Sequence, residues 1–212
     1  MVFDLAARGR LVISRLVLIF VLPLDFQRRI RVVRSMYLPA ALHGIEASLL
    51  VSDSLRKLLS SICSVVWSRR QPMANVGAVL SLLDGPTGCD PAFCVVWFRF
   101  RLLRRYLALW PAEVGKVYRL LEMVGAGCPG HGPIHLLYAG AAEIGFRWDP
   151  LVLAWSRPGL PLLSNLAGPV QHIKAAILDA WRNKVSVDLC GRKGFQGGAL
   201  LDVHGSLQLL AS

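Results

Sequence analysis

The chain has 212 residues, a formal net charge of +11 and a hydrophobic fraction of 54%. This length suits one domain or two small ones and is enough to bury a core. The mean hydropathy of +0.50 raises the question of a membrane, but a spanning helix needs about 20 predominantly apolar residues. The best apolar stretch, Leu11 to Leu24, is shorter and is interrupted by Arg15 and Pro23. The composition therefore predicts no membrane-spanning helix and disfavours a membrane as the partner.

The positive charge is concentrated in the first half of the chain. Between Phe26 and Trp110 there are twelve basic and four acidic residues, whereas residues 111–212 hold nine basic and seven acidic ones. A local excess of this kind is typical of a surface that binds phosphate groups. Arginine accounts for 19 of the 24 basic residues, and its planar guanidinium suits bidentate phosphate contacts, although a GC-rich gene produces the same bias. We therefore rank nucleic acid above a membrane surface as the partner.

Residues 1–22 combine a charged start with an apolar centre, as a signal peptide does. Arg15 divides the apolar part, however, and no small-residue cleavage site follows it. We therefore expect either a poorly specified N-terminal extension or a truncated upstream helix.

Two basic amphipathic helices are predicted between Arg28 and Arg70. The first places an apolar stripe beside a cationic edge, and its apolar residues are Ile30, Val33, Tyr37, Ala40 and Ala41. The second follows the same period with Leu55, Leu58, Leu59, Ile62, Val65 and Val66. Ser52 or Asp53 can cap the second helix, and Arg69 with Arg70 would lie where a helix C-terminus favours cations.

Further helices are predicted downstream. Asp90 followed by Pro91 is a strong helix start, and this helix should end before Pro111. The apolar residues expected to share one of its faces are Val95, Phe98, Leu102, Tyr106 and Leu109, with Arg101, Arg104 and Arg105 on another. The other predicted helices span 76–83, 112–124, 134–144 and 169–190.

Segment 146–165 has an alternating apolar pattern and contains three prolines. It is predicted to be extended chain packed on a helical surface rather than a regular strand. The loop Gly125–Pro133 is a predicted hinge between the basic half and the more neutral half. The tail, 192–212, ends without a capping pattern, so we expect the C-terminal region to be truncated. The predicted fold class is mainly α, an irregular multi-helix bundle.

The segment Arg31 to Glu46, RVVRSMYLPAALHGIE, resembles the region just after the polymerase palm in reverse transcriptases of LINE-type (non-LTR) retrotransposons. In that family a basic helix runs into a proline, then a small-apolar-aromatic-Gly-x-Glu pattern, then a second helix. His43 stands where those enzymes usually have tyrosine. The resemblance continues through DGPTGCDPAFCVVWFRFRLLRRYLALWP and QHIKAAILDAWRNKV, which are similar to the connector between thumb and downstream nuclease in protist copies of such elements.

The resemblance implies thumb-like helices over 26–110 and a helical connector over 111–212, after the extension at 1–25. It also implies a non-catalytic fragment of an RNA-directed DNA polymerase that clamps the template-primer duplex. The implied partners are an RNA-DNA hybrid or RNA, and the rest of the reverse transcriptase. The residues expected to contact nucleic acid are Arg28, Arg29, Arg31, Arg34, Arg69, Arg70, Arg101, Arg104 and Arg105. Tyr37, Trp67 or Trp97 would pack against sugar or bases.

No catalytic or metal-binding residues are assigned. Polymerase chemistry needs carboxylates that hold two divalent metals, and the nine dispersed aspartates include no Asp-Asp pair. We therefore expect no enzyme activity and no cofactor in this chain alone, a divalent metal being implied only for the intact polymerase. Cys128, His131 and His135 have a spacing that zinc could use, but Pro129 and Gly130 explain the loop without metal. Five widely spaced cysteines fit reduced thiols in the nucleus or the cytoplasm.

Two other interpretations stay open. The chain could be a membrane-associated or helix-helix interaction protein whose exposed apolar surface binds a bilayer or a partner. It could also be a degenerate element remnant that does not fold alone, which the missing aspartates and the abrupt tail would fit. Salt dependence separates phosphate binding, which weakens steeply with salt, from hydrophobic insertion, which does not.

Overall fold

The computed structural model describes residues 5–46, 48, 52–67, 80, 89–158, 163–164 and 169–191. Within these ranges the chain is mainly helical, which confirms the predicted fold class. The helices are α1 Leu5–Val21, α2 Phe26–Val32, α3 Leu38–Ala41, α4 Ser52–Trp67, α5 Pro91–Leu109, α6 Val114–Gly125, α7 Pro133–Glu143 and α8 Val170–Cys190. The strands are β1 Arg147–Asp149, β2 Ala154–Ser156 and β3 Leu163–Ser164. The predicted helix at 76–83 lies outside the described residues except for Leu80, which is buried.

The N-terminal residues form a packed helix. Helix α1 packs along α4 and also contacts α3. Leu16 and Ile19 lie in the core, where each is at most 1% exposed. No helix within the described ranges is long and apolar enough to cross a membrane.

A widened turn connects α2 to α3. Proline has no backbone N–H, and its ring clashes with the carbonyl four residues earlier in a regular α-helix. Just before Pro39 the chain forms a π-helical turn over Val33–Tyr37, in which Leu38 N donates to Val33 O, five residues back. The extra residue in this turn lets the chain continue as a helix through the proline to Ala41.

Helix α5 begins where the Asp-Pro pair predicts. Asp90 Oδ1 accepts a hydrogen bond of 2.8 Å from the Ala92 N–H, and Pro91 occupies the first helical position. The carboxylate is only 2% exposed, and its Oδ2 accepts a 3.0 Å hydrogen bond from Trp181 Nε1 of α8. A single buried side chain therefore both caps α5 and attaches α8 to its start.

The predicted apolar face of α5 is wrong in its second half. The buried residues are Phe93, Cys94, Val95, Val96, Trp97, Phe100 and Leu103. Leu102, Tyr106 and Leu109 are instead 39–61% exposed. Two apolar stripes run along this helix at helical spacing, and only the packing of α4, α7 and α8 against it decides which one is buried.

The segment after α7 forms regular strands, which corrects the prediction of irregular extended chain. β1, β2 and β3 make an antiparallel sheet in that order, with Trp148 opposite Trp155. Pro150 lies in the β1–β2 turn and Pro158 follows β2, so neither removes a hydrogen bond from the ladder. Asp149 Oδ1 stabilises the turn by accepting from the Leu151 N–H at 2.9 Å.

An aromatic cluster attaches this sheet to the helices. Trp155, which is fully buried, lies 5.5–5.6 Å between ring centroids from Phe100 of α5, Tyr138 of α7 and Trp148 of β1. Trp148 in turn lies 5.2 Å from Tyr118 of α6. Offset and edge-to-face pairs of this kind add to the stabilisation from burial alone.

Arg99 joins the two halves of the chain. Its Nη1 donates to Leu136 O of α7 at 3.2 Å, and its Nη2 donates to Ser48 O at 3.3 Å. Burial lowers the pKa of this guanidinium, and the charges of Glu143 and Glu46 oppose that effect. Arg99 therefore has a structural role, unlike the exposed Arg101 and Arg105 that follow it on α5.

The Cys63 thiol should make stability depend on alkaline pH. Its burial in α4 raises its pKa from about 9.0 to about 11. Between these values the folded protein retains a proton that the unfolded chain releases, so the free energy of unfolding should fall as pH rises from about 9 to about 11. Urea denaturation at several pH values checks this, with Cys63→Ala as the control. An equal alkaline loss in both proteins would contradict the assignment to Cys63.

Candidate nucleic-acid interface

The second half of α5 carries a mixed basic and aromatic surface. Beyond Phe100 the helix has only one side against the core, so the other side faces solvent. The large exposed residues on this side are Arg101, Leu102, Arg105, Tyr106, Leu109 and Trp110. We call these six residues the α5 face. Arg101 and Arg105 lie one turn apart on it, about 6 Å along the helix axis.

The aromatic end of the α5 face adjoins α6. Lys116 of α6 donates to Glu113 Oε1 at 2.9 Å. This hydrogen bond is the main cause that raises the Lys116 pKa, followed by the Glu113 charge, and Tyr106 contributes in the same direction. Arg119 is also exposed on α6. The positive surface therefore extends beyond α5, although Glu113 offsets the charge of Lys116.

The other predicted arginine of α5 differs from its neighbours. Arg104 lies at the edge of the α5 face, where its side chain is half-buried and interacts with another residue. Arg101 and Arg105 are exposed. The structure thus brings these three residues together, with two of them directed into solvent.

The predicted arginines of α2 and the π-helical turn have divided roles. Arg31 is exposed and Arg34 is half-buried. Arg28 is exposed but forms an ion pair of 3.3 Å with Asp25, which also caps α2. Arg29 is half-buried, and its Nη1 donates to Val65 O of α4 at 3.3 Å. Its hydrogen bond to α4 gives Arg29 a structural role, which the count of charges could not reveal.

The arginines of α2 and those of α5 belong to helices that share a neighbour, since α2 and α5 each pack against α4. Arg69 and Arg70, which were predicted to extend the basic surface, lie outside the described residues, as does the Trp67 side chain.

Two of the aromatic residues predicted to contact bases, Tyr37 and Trp97, are not exposed. Trp97 is 7% exposed and lies in the core. Tyr37 is half-buried, and its hydroxyl donates to Arg15 O at 3.3 Å. Tyr106 and Trp110 are 40% and 59% exposed beside the arginines. The one-turn spacing of these two aromatics, which matches that of Arg101 and Arg105, is the sequence signal that could have identified them.

Metal ligands do not converge in the part of the chain that the structure describes. No three His, Cys, Asp or Glu side chains there are placed to hold an ion. Of the residues with possible zinc spacing, Cys128 and His131 are exposed and His135 is half-buried. Cys89 and Cys94 are both buried.

The chain matches no protein-family model, no curated protein and no solved structure.

Proposed function

We propose that the chain is a non-catalytic, nucleic-acid-binding part of a LINE-type reverse transcriptase, in which the α5 face contacts the backbone of the template-primer duplex. The observation that carries this proposal is the pair Arg101 and Arg105, exposed one turn apart beside Tyr106 and Trp110. No acidic residue occurs between Arg101 and Trp110, so nothing within the α5 face opposes the approach of a phosphate.

The chemistry of the α5 face suits a phosphate backbone. Each guanidinium presents several N–H donors in a plane, which matches the oxygens of a phosphate. The exposed aromatic rings can pack against sugars or unpaired bases, and such stacking contributes about 1–3 kcal/mol per base in single-strand complexes. Leu102 and Leu109 add apolar contact area between these groups.

The resemblance in Arg31–Glu46 supports the finer parts of the proposal. These are an RNA-DNA hybrid as ligand, the remainder of the reverse transcriptase as partner, and a nuclear or cytoplasmic location. Catalysis and the divalent metals belong, on this proposal, to the palm of the intact polymerase, and this chain positions the duplex for it.

The proposal predicts strong, salt-dependent binding that needs the two exposed arginines. For duplex DNA, each neutralised phosphate adds about 0.9 to the slope of log affinity against log salt, or about eightfold in affinity near 0.1 M salt. The double variant Arg101→Gln/Arg105→Gln should therefore bind a labelled RNA-DNA hybrid about 50-fold more weakly and reduce the slope by about 2. Fluorescence anisotropy at several salt concentrations measures both quantities.

Matched variants make this experiment specific. Arg147→Gln removes one exposed charge from β1, so it should change affinity much less than either single variant of the α5 face. Circular dichroism establishes that every variant remains helical. A helical protein with no affinity for the hybrid, or with affinity indifferent to salt, would refute the proposal.

The second candidate is a membrane-associated or helix-helix interaction protein. It is favoured by the apolar residues on the outer side of α1, since Val17, Leu18 and Val21 are 61%, 62% and 81% exposed. Binding through this side would depend on buried apolar area and would persist at high salt on uncharged vesicles. Co-sedimentation with phosphatidylcholine vesicles at high salt distinguishes the two candidates.

A further inference from the structure

A groove between α1 and α4 brings together cationic and hydroxyl side chains. It has a volume of about 420 Å³ and is lined by Arg10, Ile13, Ser14, Lys57, Ser60 and Ser61. Arg10 and Ser14 lie one turn apart on α1, and Lys57 and Ser61 lie one turn apart on α4. Each of the two helices therefore lines the groove with one cation and one hydroxyl, spaced one turn apart. We call it the α1–α4 groove.

The charge around this groove is positive. No acidic residue lines it, and α1 contains none along its whole length. The acidic residue of α4, Asp53, lies 3.9 Å from Arg56 in an ion pair. Arg10 and Lys57 are both exposed, so their charges are available to a ligand that enters the groove.

The serine hydroxyls of the groove differ in whether they already donate a hydrogen bond within the protein. Ser14 Oγ donates to Leu11 O, and Ser61 Oγ donates to Lys57 O, each at 2.8 Å. Ser60 Oγ makes no hydrogen bond to any residue that the structure describes, so its O–H can be directed to a ligand.

We propose that the α1–α4 groove binds a phosphate group. A phosphate monoester carries between about −1.5 and −2 charges at neutral pH and three strong acceptor oxygens, which match two opposed cations and a free hydroxyl. An apolar ligand would bury cations without compensating their charge.

This inference is independent of the proposed function, because the groove uses α1 and α4 and none of its lining residues belongs to the α5 face. The phosphate could belong to a phosphodiester chain or be free in solution. Both sources share the oxyanion that the groove recognises, and titration with each separates them.

The test uses the full chain labelled with ¹⁵N and titrated with inorganic phosphate at constant ionic strength. Saturable shifts are expected in the backbone amides of residues 10–14 and 57–61. Arg10→Gln/Lys57→Gln should weaken phosphate binding at least tenfold. Ser60→Glu retains both cations and places an acid at an exposed helical position, where it should preserve the fold and also weaken binding at least tenfold. Arg147→Gln, outside the groove, should leave the affinity unchanged.

A parallel titration with oligothymidylate identifies the source of the phosphate. Shifts of the same amides at lower concentration than with inorganic phosphate would assign the groove to a phosphodiester chain. Shifts with inorganic phosphate alone would assign it to free phosphate. The absence of saturable shifts with both ligands would overturn the proposal, and so would shifts that Arg10→Gln/Lys57→Gln and Ser60→Glu leave unchanged. If the α5 face failed to bind the RNA-DNA hybrid, the conclusions about phosphate binding in the α1–α4 groove and about the source of the phosphate would be unchanged.

Discussion

Replacing Trp155 with alanine is expected to lower the free energy of unfolding by about 4 kcal/mol, within the usual range for removing a large buried aromatic ring. Trp155 is fully buried and contacts rings from α5, α7 and β1. Its loss would leave a cavity between α5, α7 and β1. These elements cannot move together to fill it, since other contacts hold each of them in place. Equilibrium denaturation in urea measures the effect.

Two further variants test the reason for this loss. Trp110→Ala removes the same side chain from a site that is 59% exposed, and it should change stability by no more than about 0.5 kcal/mol. Trp155→Phe should cost clearly less than Trp155→Ala. Trp155 Nε1 is buried and has no hydrogen-bond partner among the described residues, so phenylalanine removes an unsatisfied donor along with the volume. If Trp155→Phe lowers the free energy of unfolding as much as Trp155→Ala, the loss depends on the shape of the indole ring rather than on its buried apolar area.

Features that depend on neighbouring residues were predictable from the sequence. The start of α5 follows from Asp90 and Pro91, because a capping carboxylate and a fixed proline dihedral act within one turn. Helices α6, α7 and α8 begin and end within two residues of the predicted bounds, and α7 likewise has a proline in its first turn. The mainly helical class follows from the apolar periodicity that these segments share.

Features that depend on distant partners were not predictable. Arg99, Arg101 and Arg105 are alike in sequence, yet Arg99 donates to the carbonyls of Leu136 and Ser48, whereas Arg101 and Arg105 are exposed. The sheet was missed because its strands are two or three residues long, too short for an alternating pattern to be recognised. Trp97 was expected at the surface and lies in the core because α5 has two apolar stripes and tertiary packing selects one.

Removal of the Asp90 carboxylate should be nearly as damaging as loss of Trp155. Asp90→Ala deletes the cap of α5, which contributes about 1 kcal/mol. It also leaves the buried Trp181 N–H without its charged acceptor, a bond that contributes about 1.5–3 kcal/mol. Since both hydrogen bonds end on this one carboxylate, a loss of about 3 kcal/mol in the free energy of unfolding is expected.

Asparagine at the same position separates the two contributions. Asn has a single carbonyl oxygen, so Asp90→Asn can accept from Ala92 or from Trp181 but not from both with the present geometry. Its stability should therefore lie between those of the wild type and Asp90→Ala. A double-mutant cycle with Trp181→Phe should give a coupling of about 1.5–3 kcal/mol, and additive effects would contradict the proposed link. Below the denaturation midpoint, Asp90→Asn should still bind the hybrid with wild-type affinity, because the α5 face begins more than two turns beyond this cap.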